Sequence, residues 1–196
     1  MGRVVTMQDN LGAITIKAND ELAEEYERQA KVLAEKNYRA TLPYRYRQAT
    51  TDLEYKPSDI LVLSGGVGSG KTYTACGILA KLMRGKYYTM YDIVNTLANR
   101  TFGGMEKASD MRCDLYNASV LVIDEVGRGG TGEDALLFEI VNERYNRCRG
   151  VILVTNLDKK SFVEKFGEPL LDRIIECGSW QDFGNESRRK KMRGEK

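Results

Sequence analysis

A glycine-rich loop between an apolar segment and a helical segment constrains this chain more than any other feature. In the stretch LVLSGGVGSGKTYTA, residues 61–75, positions 65–72 match GxxxxGK followed by Ser or Thr. Glycines let such a loop curl around phosphates with its backbone N–H groups pointing inward, and the following helix adds the positive end of its dipole. The apolar run 60–64 and the helical segment 71–84 supply the strand and helix that the pattern requires. The sequence therefore predicts a site for a nucleoside triphosphate.

The residues of this loop have distinct expected roles. Lys71 is expected to reach the terminal phosphates and to assist catalysis, and the Thr72 hydroxyl is expected to bind Mg²⁺. The other predicted nucleotide contacts are the rest of the loop and the residue that follows it: Gly65, Gly66, Val67, Gly68, Ser69, Gly70 and Tyr73.

Two acidic residues follow a second apolar run. Residues 120–123 show no polar alternation, which is typical of a strand buried on both faces, and Asp124 and Glu125 come directly after it. We expect Asp124 to hold the Mg²⁺ shell and Glu125 to orient and polarise the attacking water. The alternative is a pair of solvated loop acids. The adjacent pair favours an ATPase that turns over rather than a small-molecule kinase.

A third apolar run, 151–154, ends in Thr155 and Asn156. Either side chain could hydrogen-bond the attacking water or the γ-phosphate from the end of a neighbouring strand, and we favour Asn156 as the catalytic residue. Farther along, Arg173 lies on a predicted helix, 169–176, where it would project toward the nucleotide of a neighbouring subunit as an arginine finger. The alternative for Arg173 is an ion pair within its own helix.

Composition excludes several other kinds of site. The chain of 196 residues contains no histidine, so it has no imidazole general base and no histidine zinc ligand. Its four cysteines form no CxxC pair, which argues against a zinc site and favours free thiols in a reducing compartment. No run approaches the roughly 18 apolar residues that a membrane span needs, so we expect a cytoplasmic protein without a membrane segment.

The segment before the loop differs in pattern from the rest of the chain. We expect an N-terminal segment for partner binding over 1–56 and an ATPase domain with a basic C-terminal tail over 57–196. Alternation at 13–17 indicates a short strand, and 20–37 is expected to be a helix. Its narrow apolar stripe suits either a partner surface or packing on its own domain. The stripe consists of Leu22, Tyr26, Ala30 and Leu33.

Two basic stretches each allow two interpretations. Residues 44–47, within a connector, interleave Tyr and Arg, which suits single-stranded nucleic acid or packing at the domain edge near the nucleotide base. The tail 187–196 holds six basic residues against one acidic residue, which suits contact with phosphate or a solvated terminus. The net charge of +2 shows that the molecule as a whole is not a polycation.

Taken together, these motifs resemble the AAA+ ATPases, and more closely the helicase loaders of the DnaC type and their IstB transposition relatives. The resemblance spans about residues 40–190 and consists of six stretches in one order: LPYRYR (42–47), GGVGSGKT (65–72), LVIDEVG (121–127), LLFEIVNERY (136–145), VTN (154–156) and FGEPLLDRI (166–174). Such loaders lack the helical lid of most AAA+ proteins, in keeping with the 23 residues that follow Arg173. A short N-terminal segment without zinc ligands would suit a loader encoded by a phage or mobile element.

The resemblance implies an α/β fold of the P-loop NTPase class, AAA+ type. The expected architecture is a five-stranded parallel sheet flanked by helices, with the phosphate-loop strand central and no C-terminal helical lid domain. ATP and Mg²⁺ are the implied ligands, Asn156 is the implied sensor and Arg173 the implied finger. Residues 184–188 look like the Ser-x-Arg ending of the family, which would make Arg188 a second sensor on the phosphates.

The resemblance also implies a contact with DNA. Related proteins insert a helical element after the second strand, which here corresponds to 92–109. Arg100 and Phe102 lie at its expected turn, where a cation for phosphate and an aromatic ring for base stacking suit single-stranded DNA. The alternative is a surface turn with Phe102 packed inward.

Three functions remain open at this point. The favoured one is a DNA replication protein that binds and hydrolyses ATP and loads a replicative DNA helicase onto single-stranded DNA. Head-to-tail self-association with nucleotide bound would then let a neighbour's arginine complete the active site. The second is an IstB-like transposition ATPase that binds DNA and a transposase. The third is a nucleotide-gated binding module with negligible turnover.

Overall fold

The computed structural model describes residues 4–9, 12–17, 20–98 and 104–188, and the structural statements below concern these ranges. The chain divides into two compact units, Met1–Thr41 and Leu42–Lys196. Within the described ranges, no helix has both the length and the apolar character required to cross a bilayer.

The first unit contains a β-hairpin and one long helix. Strand β1, Val4–Asp9, pairs antiparallel with β2, Gly12–Lys17, from Val4 opposite Lys17 to Asp9 opposite Gly12. The alternation of apolar and polar residues at 13–17 predicted β2, whereas no sequence pattern predicted β1. Helix α1, Asp20–Thr41, starts where the sequence predicted and runs beyond position 37. Its composition favours helix, and hydrogen bonds between residues four apart, such as the 2.8 Å contact of Arg39 Nε with Glu35 Oε1, support it.

The second unit alternates strands and helices. A 3-10 turn, Tyr44–Tyr46, precedes the first strand. The elements then follow in this order: β3 Ile60–Ser64, α2 Lys71–Leu82, β4 Lys86–Thr89, α3 Met90–Ala98, α4 Gly104–Asn117, β5 Val120–Val126, α5 Glu133–Asn146, β6 Gly150–Thr155, α6 Lys159–Phe166, α7 Glu168–Cys177 and β7 Gly178–Asp182. The predicted apolar runs correspond to β3, β5 and β6, and the predicted helices 71–84 and 169–176 correspond to α2 and α7.

Five parallel strands form the sheet, in the order β4-β5-β6-β3-β7. The prediction of a five-stranded parallel sheet flanked by helices is confirmed. One detail is wrong, because the central strand is β6, and the phosphate-loop strand β3 lies between β6 and β7. The cause is β7, a polar GSWQD segment that pairs along the outer side of β3, with Val62 opposite Trp180. Its edge position requires no apolar run, so the sequence pattern did not reveal it.

The core lies around three strands whose side chains are buried on both faces, β3, β5 and β6. Beside this core, the fully buried Arg144 donates hydrogen bonds to the backbone carbonyls of Leu115, Ala118 and Gly150 at 2.6–3.1 Å. It thereby joins α5 to the end of α4 and the start of β6. Burial lowers the pKa of Arg144 to about 10, which still leaves it charged near neutral pH.

Residues 42–56 belong to the larger unit, which moves the boundary from the expected position after 56 to the bond between Thr41 and Leu42. Leu42 and Ala49 are buried, and Glu54 pairs with Lys81 of α2 at 2.6 Å. The connector also approaches α2 closely at Gly77, where a Cβ would lie 2.8 Å from the carbonyl carbon of Thr50. The connector therefore packs against the sheet-bearing unit.

Candidate nucleotide-binding site

A cleft of about 1030 Å³ opens at the carboxyl ends of the parallel strands, the edge where α/β sheets bind ligands. Many of the predicted site residues line it: Val67, Gly68, Gly70, Lys71, Thr72, Tyr73, Asp124, Glu125, Asn156 and Arg188. Thr155, the less favoured of the two candidates at the end of β6, lines the cleft as well. Other lining residues were not predicted as site residues: Arg45, Tyr46, Tyr87, Thr89, Arg128 and Val154. The interpretation that placed the Tyr-Arg connector near the nucleotide gains support from Arg45 and Tyr46.

The glycine loop adopts backbone conformations that require its glycines. Gly65 and Gly70 have φ angles of +132° and +105°, where residues with a side chain are strained. Space is also lacking, since a Cβ on Gly65 would lie 2.7 Å from the carbonyl oxygen of Gly184. The sequence pattern thus corresponds to a tightly folded loop at the start of α2.

Lys71 is held against the loop. It is buried, and its Nζ donates to the carbonyl oxygens of Gly65 and Gly66 at 2.8 and 2.7 Å. Burial lowers the pKa of Lys71 below its usual value of 10.5, while the nearby charge of Asp124 acts in the opposite direction. An ammonium group with few water contacts in a cleft is well suited to bind phosphate oxygens.

Asp124 is fixed at both carboxylate oxygens. It is buried at the end of β5, where Oδ2 accepts from the Tyr87 hydroxyl at 2.7 Å and Oδ1 from the backbone N–H of Glu125 at 2.8 Å. Burial, and then the Asp124 charge, raise the pKa of the Tyr87 phenol, so this phenol stays a donor. The Asp124 carboxylate and the Thr72 hydroxyl line the same cleft. Both are hard oxygen ligands, so this donor set fits Mg²⁺.

Glu125 has a strained backbone. Its φ angle is +58°, and the pairing of β5 with β6 shifts register between Ile123 and Val126. Such bulges redirect side chains, and non-glycine residues with positive φ concentrate at functional sites. Here Val126 is buried in the core, whereas Glu125 is exposed and lines the cleft. The bulge therefore places a free carboxylate beside Asp124.

The two polar residues at the end of β6, Thr155 and Asn156, have different environments. The hydroxyl of the buried Thr155 donates to the carbonyl of Val126 at 2.7 Å and accepts from the backbone N–H of Leu157 at 3.1 Å. It thus joins the ends of two strands. Asn156 is exposed and lines the cleft. Of the two side chains, Asn156 is the one available to a ligand.

A segment after β7 crosses the glycine loop. The backbone N–H of Phe183 donates to Ser64, that of Gly66 to Gly184, and that of Arg188 to Gly68, at 2.8–3.0 Å. This places Arg188 in the cleft, where a Cβ on Gly70 would lie 3.2 Å from its Cδ. The location is compatible with a phosphate-sensing arginine.

Arg173 does not line this cleft. Its Nε and Nη2 donate to Oδ1 of Asn142 at 3.0 and 2.7 Å, and Nη1 donates to the carbonyl of Pro169 at 2.8 Å. Its guanidinium also lies 4.9 Å from the ring centre of Phe138. The two residues predicted to contact DNA, Arg100 and Phe102, lie outside the described ranges.

Comparison with known proteins agrees with this geometry. Residues 20–196 match the model of the family described as IstB-like ATP binding protein. The replicative helicase loader DnaC of Buchnera aphidicola subsp. Baizongia pistaciae is 30% identical over 141 residues, 68% of this chain and 57% of that protein. DnaC of Escherichia coli K12 is 29% identical over 140 residues, which again cover 68% of this chain and 57% of that protein. The chain thus spans little more than half the length of these curated relatives.

Solved structures agree on the fold. A crystal structure of the DnaC helicase loader shares a TM-score of 0.54 and 24% identity, over 67% of this chain and 81% of that one. The parallel sheet, the glycine loop and the family match lead to one assignment. This chain belongs to the family of IstB-like ATP-binding proteins.

Proposed function

We propose that this protein hydrolyses ATP with Mg²⁺ and uses the reaction to load a replicative DNA helicase onto single-stranded DNA. The observation that carries the enzymatic part is the meeting of Lys71, Asp124 and Glu125 with the glycine loop in one cleft. The loading part is supported by the relatives named as replicative helicase loaders. A cytoplasmic location is part of this proposal.

In the proposed mechanism, the loop amides and Lys71 bind the β- and γ-phosphates. Thr72 and Asp124 would hold Mg²⁺, which would neutralise charge on the phosphate oxygens. Glu125 orients a water molecule toward the γ-phosphorus and accepts its proton. Asn156 hydrogen-bonds the water or the γ-phosphate from the neighbouring strand end, and Arg188 contacts the phosphates from the segment over the loop. Tyr73 and the remaining loop residues complete the nucleotide contacts.

Arg173 is proposed to act on a neighbouring subunit. Support comes from its place on α7, outside its own cleft, with the side chain already oriented by Asn142 and Pro169. An arginine supplied to another subunit requires head-to-tail contacts rather than a two-fold dimer. Subunits would therefore associate head to tail when nucleotide is bound, and hydrolysis would be coupled to assembly.

The partner contacts are proposed at two places. Residues 1–41 would recruit the helicase, and support comes from the exposed apolar side chains Leu22, Val32 and Leu33 of α1. Arg100 and Phe102 would contact single-stranded DNA. The match to IstB-like ATP binding proteins also suits the second candidate, an IstB-like transposition ATPase that would bind DNA and a transposase. The two candidates share the ATPase site and differ in the partner.

The test is ATP turnover as a function of protein concentration, with and without single-stranded DNA. It compares the wild type, Arg173→Ala and the control Arg147→Ala, whose side chain is paired with Glu143 on the surface. A rate per subunit that rises with concentration, and that collapses only in Arg173→Ala, is expected. Stimulation by single strands favours the loader over the transposition ATPase. A rate per subunit that does not change with protein concentration, and that is the same in Arg173→Ala as in the wild type, would exclude the shared active site.

A further inference from the structure

The turn after Glu125 is held by two side chains that belong to no recognised motif. Gly127 donates its backbone N–H to Oε1 of Glu133 at 2.6 Å, and its carbonyl accepts from Nζ of Lys165 at 2.7 Å. The same Nζ lies 2.7 Å from Oε2 of Glu133. One ion pair therefore satisfies both polar backbone groups of a single residue. Its members come from the first turn of α5 and from α6.

This ion pair differs from those on the protein surface. The Glu133 side chain is 0% exposed and that of Lys165 is 35% exposed. A buried carboxylate is tolerated only with charged or hydrogen-bonding partners, and here Lys165 and Gly127 provide them. On the same helix, Lys160 and Glu164 are 3.8 Å apart with exposures of 87% and 65%, a kind of pair that contributes little.

The contacts at Gly127 lie beside the strained residue of the site. Glu125 and Gly127 have φ angles of +58° and +103°, and the turn closes when the backbone N–H of Arg128 donates to the carbonyl of Glu125 at 3.0 Å. A strained backbone persists only where its surroundings hold it. Gly127 is the residue of this turn on which side chains from two helices converge.

We propose that Glu133 and Lys165 are a positioning pair that holds the 125–128 turn and so directs Glu125 into the cleft. Neither member of the pair lines the cleft, so the pair acts through the backbone of Gly127 rather than on the nucleotide. The inference rests on the proposed ATPase function, because it explains how the water-activating carboxylate is placed.

The experiment uses the full chain with the variant Lys165→Met and the matched control Lys160→Met from the same helix. Amide hydrogen exchange of residues 124–129 measures the local stability of the turn. The kcat measures catalysis, and the KM for ATP and the affinity for a non-hydrolysable ATP analogue measure nucleotide binding. In Lys165→Met we expect faster exchange in the turn, kcat reduced about tenfold or more, and KM and analogue affinity within about twofold, because small misplacements of a catalytic group cost this much. Lys165→Arg should restore part of kcat, and Lys160→Met should match the wild type.

Unchanged exchange or unchanged kcat in a folded Lys165→Met protein would overturn the proposal. If that variant does not fold, Glu133→Gln/Lys165→Met replaces it, since the double variant leaves no unpaired buried charge, and the same outcomes apply. A wild type that does not hydrolyse ATP would refute the proposed function instead. The exchange measurement then decides alone: faster exchange in Lys165→Met supports the pair, and unchanged exchange overturns it.

Discussion

The hydroxyl of Tyr87 on β4 donates a 2.7 Å hydrogen bond to Oδ2 of Asp124 on the neighbouring strand β5. With the backbone N–H of Glu125 on Oδ1, this contact fixes the rotation of the carboxylate that we assign to Mg²⁺. The two residues are 37 positions apart, and parallel pairing of β4 with β5 brings them together.

Removal of this hydroxyl should weaken Mg²⁺ binding. A hydrogen bond to a charged group contributes about 1.5–3 kcal/mol, so Tyr87→Phe should raise the Mg²⁺ concentration for half-maximal ATP turnover about tenfold or more. Magnesium titration of ATPase activity measures this. The exposed Tyr91 provides the control, since Tyr91→Phe should leave the titration unchanged. Equal titration curves for the two variants would show that the phenol does not orient Asp124.

Glu125 should contribute to catalysis through its carboxylate, while its strained backbone should lower the stability of the protein. Loss of the water-activating carboxylate in Glu125→Gln should lower kcat about 10²–10⁴-fold while ATP-analogue binding persists. Because φ is +58°, glycine should suit the position better than alanine. We expect Glu125→Gly to have a free energy of unfolding about 1 kcal/mol above that of Glu125→Ala. Denaturant titration compares them, and a more stable alanine variant would contradict the strain.

Arg144 should be the position of the stretch LLFEIVNERY at which substitution lowers stability most. Its buried guanidinium satisfies the carbonyls of Leu115, Ala118 and Gly150, and Arg144→Met would leave them without these donors. We expect the free energy of unfolding to fall by about 3–5 kcal/mol. Chemical denaturation measures it, with the partly exposed Arg147→Met as control. A loss below about 1 kcal/mol would mean that water replaces the guanidinium.

The lowered pKa of Lys71 should appear in the pH dependence of ATP binding. Burial is the main cause of the shift, so the ammonium form is lost at a pH below 10.5. Affinity for the ATP analogue should therefore fall as pH rises through the lowered pKa, and binding on the alkaline side should take up a proton. Calorimetry in buffers of different ionisation enthalpy measures the uptake. Lys71→Arg keeps its charge and should abolish the pH effect in this range.

The same shift affects folding with a definite sign. Between the lowered folded-state pKa and the ordinary value of 10.5, the unfolded chain binds more protons at Lys71 than the folded chain. The contribution of Lys71 to the free energy of unfolding should therefore increase as pH rises through this window. Denaturant titrations of the wild type and of Lys71→Met at several pH values measure this contribution as the difference between their free energies of unfolding. A difference that is constant with pH would contradict the shift.

Local motifs of the sequence determined the glycine loop, the Asp124–Glu125 pair and Asn156, because each is a short run whose chemistry and strand-end position are encoded together. The same patterns determined the class of the sheet, since apolar strands alternating with helices pack only as a covered parallel sheet. The family assignment followed from the order of these motifs and is confirmed by the match over residues 20–196.

The tertiary structure alone decided which distant side chains serve those motifs. The polar strand β7 occupies the edge beside β3, Trp180 reaches Ser64 at 2.8 Å across 116 positions, and Lys165 reaches Glu133 across 32. Tyr87, Glu133 and Lys165 have no distinguishing local pattern, because hydrogen bonding here depends on which elements become neighbours. Chain order does not specify that adjacency. It arises from packing of the whole sheet and its helices.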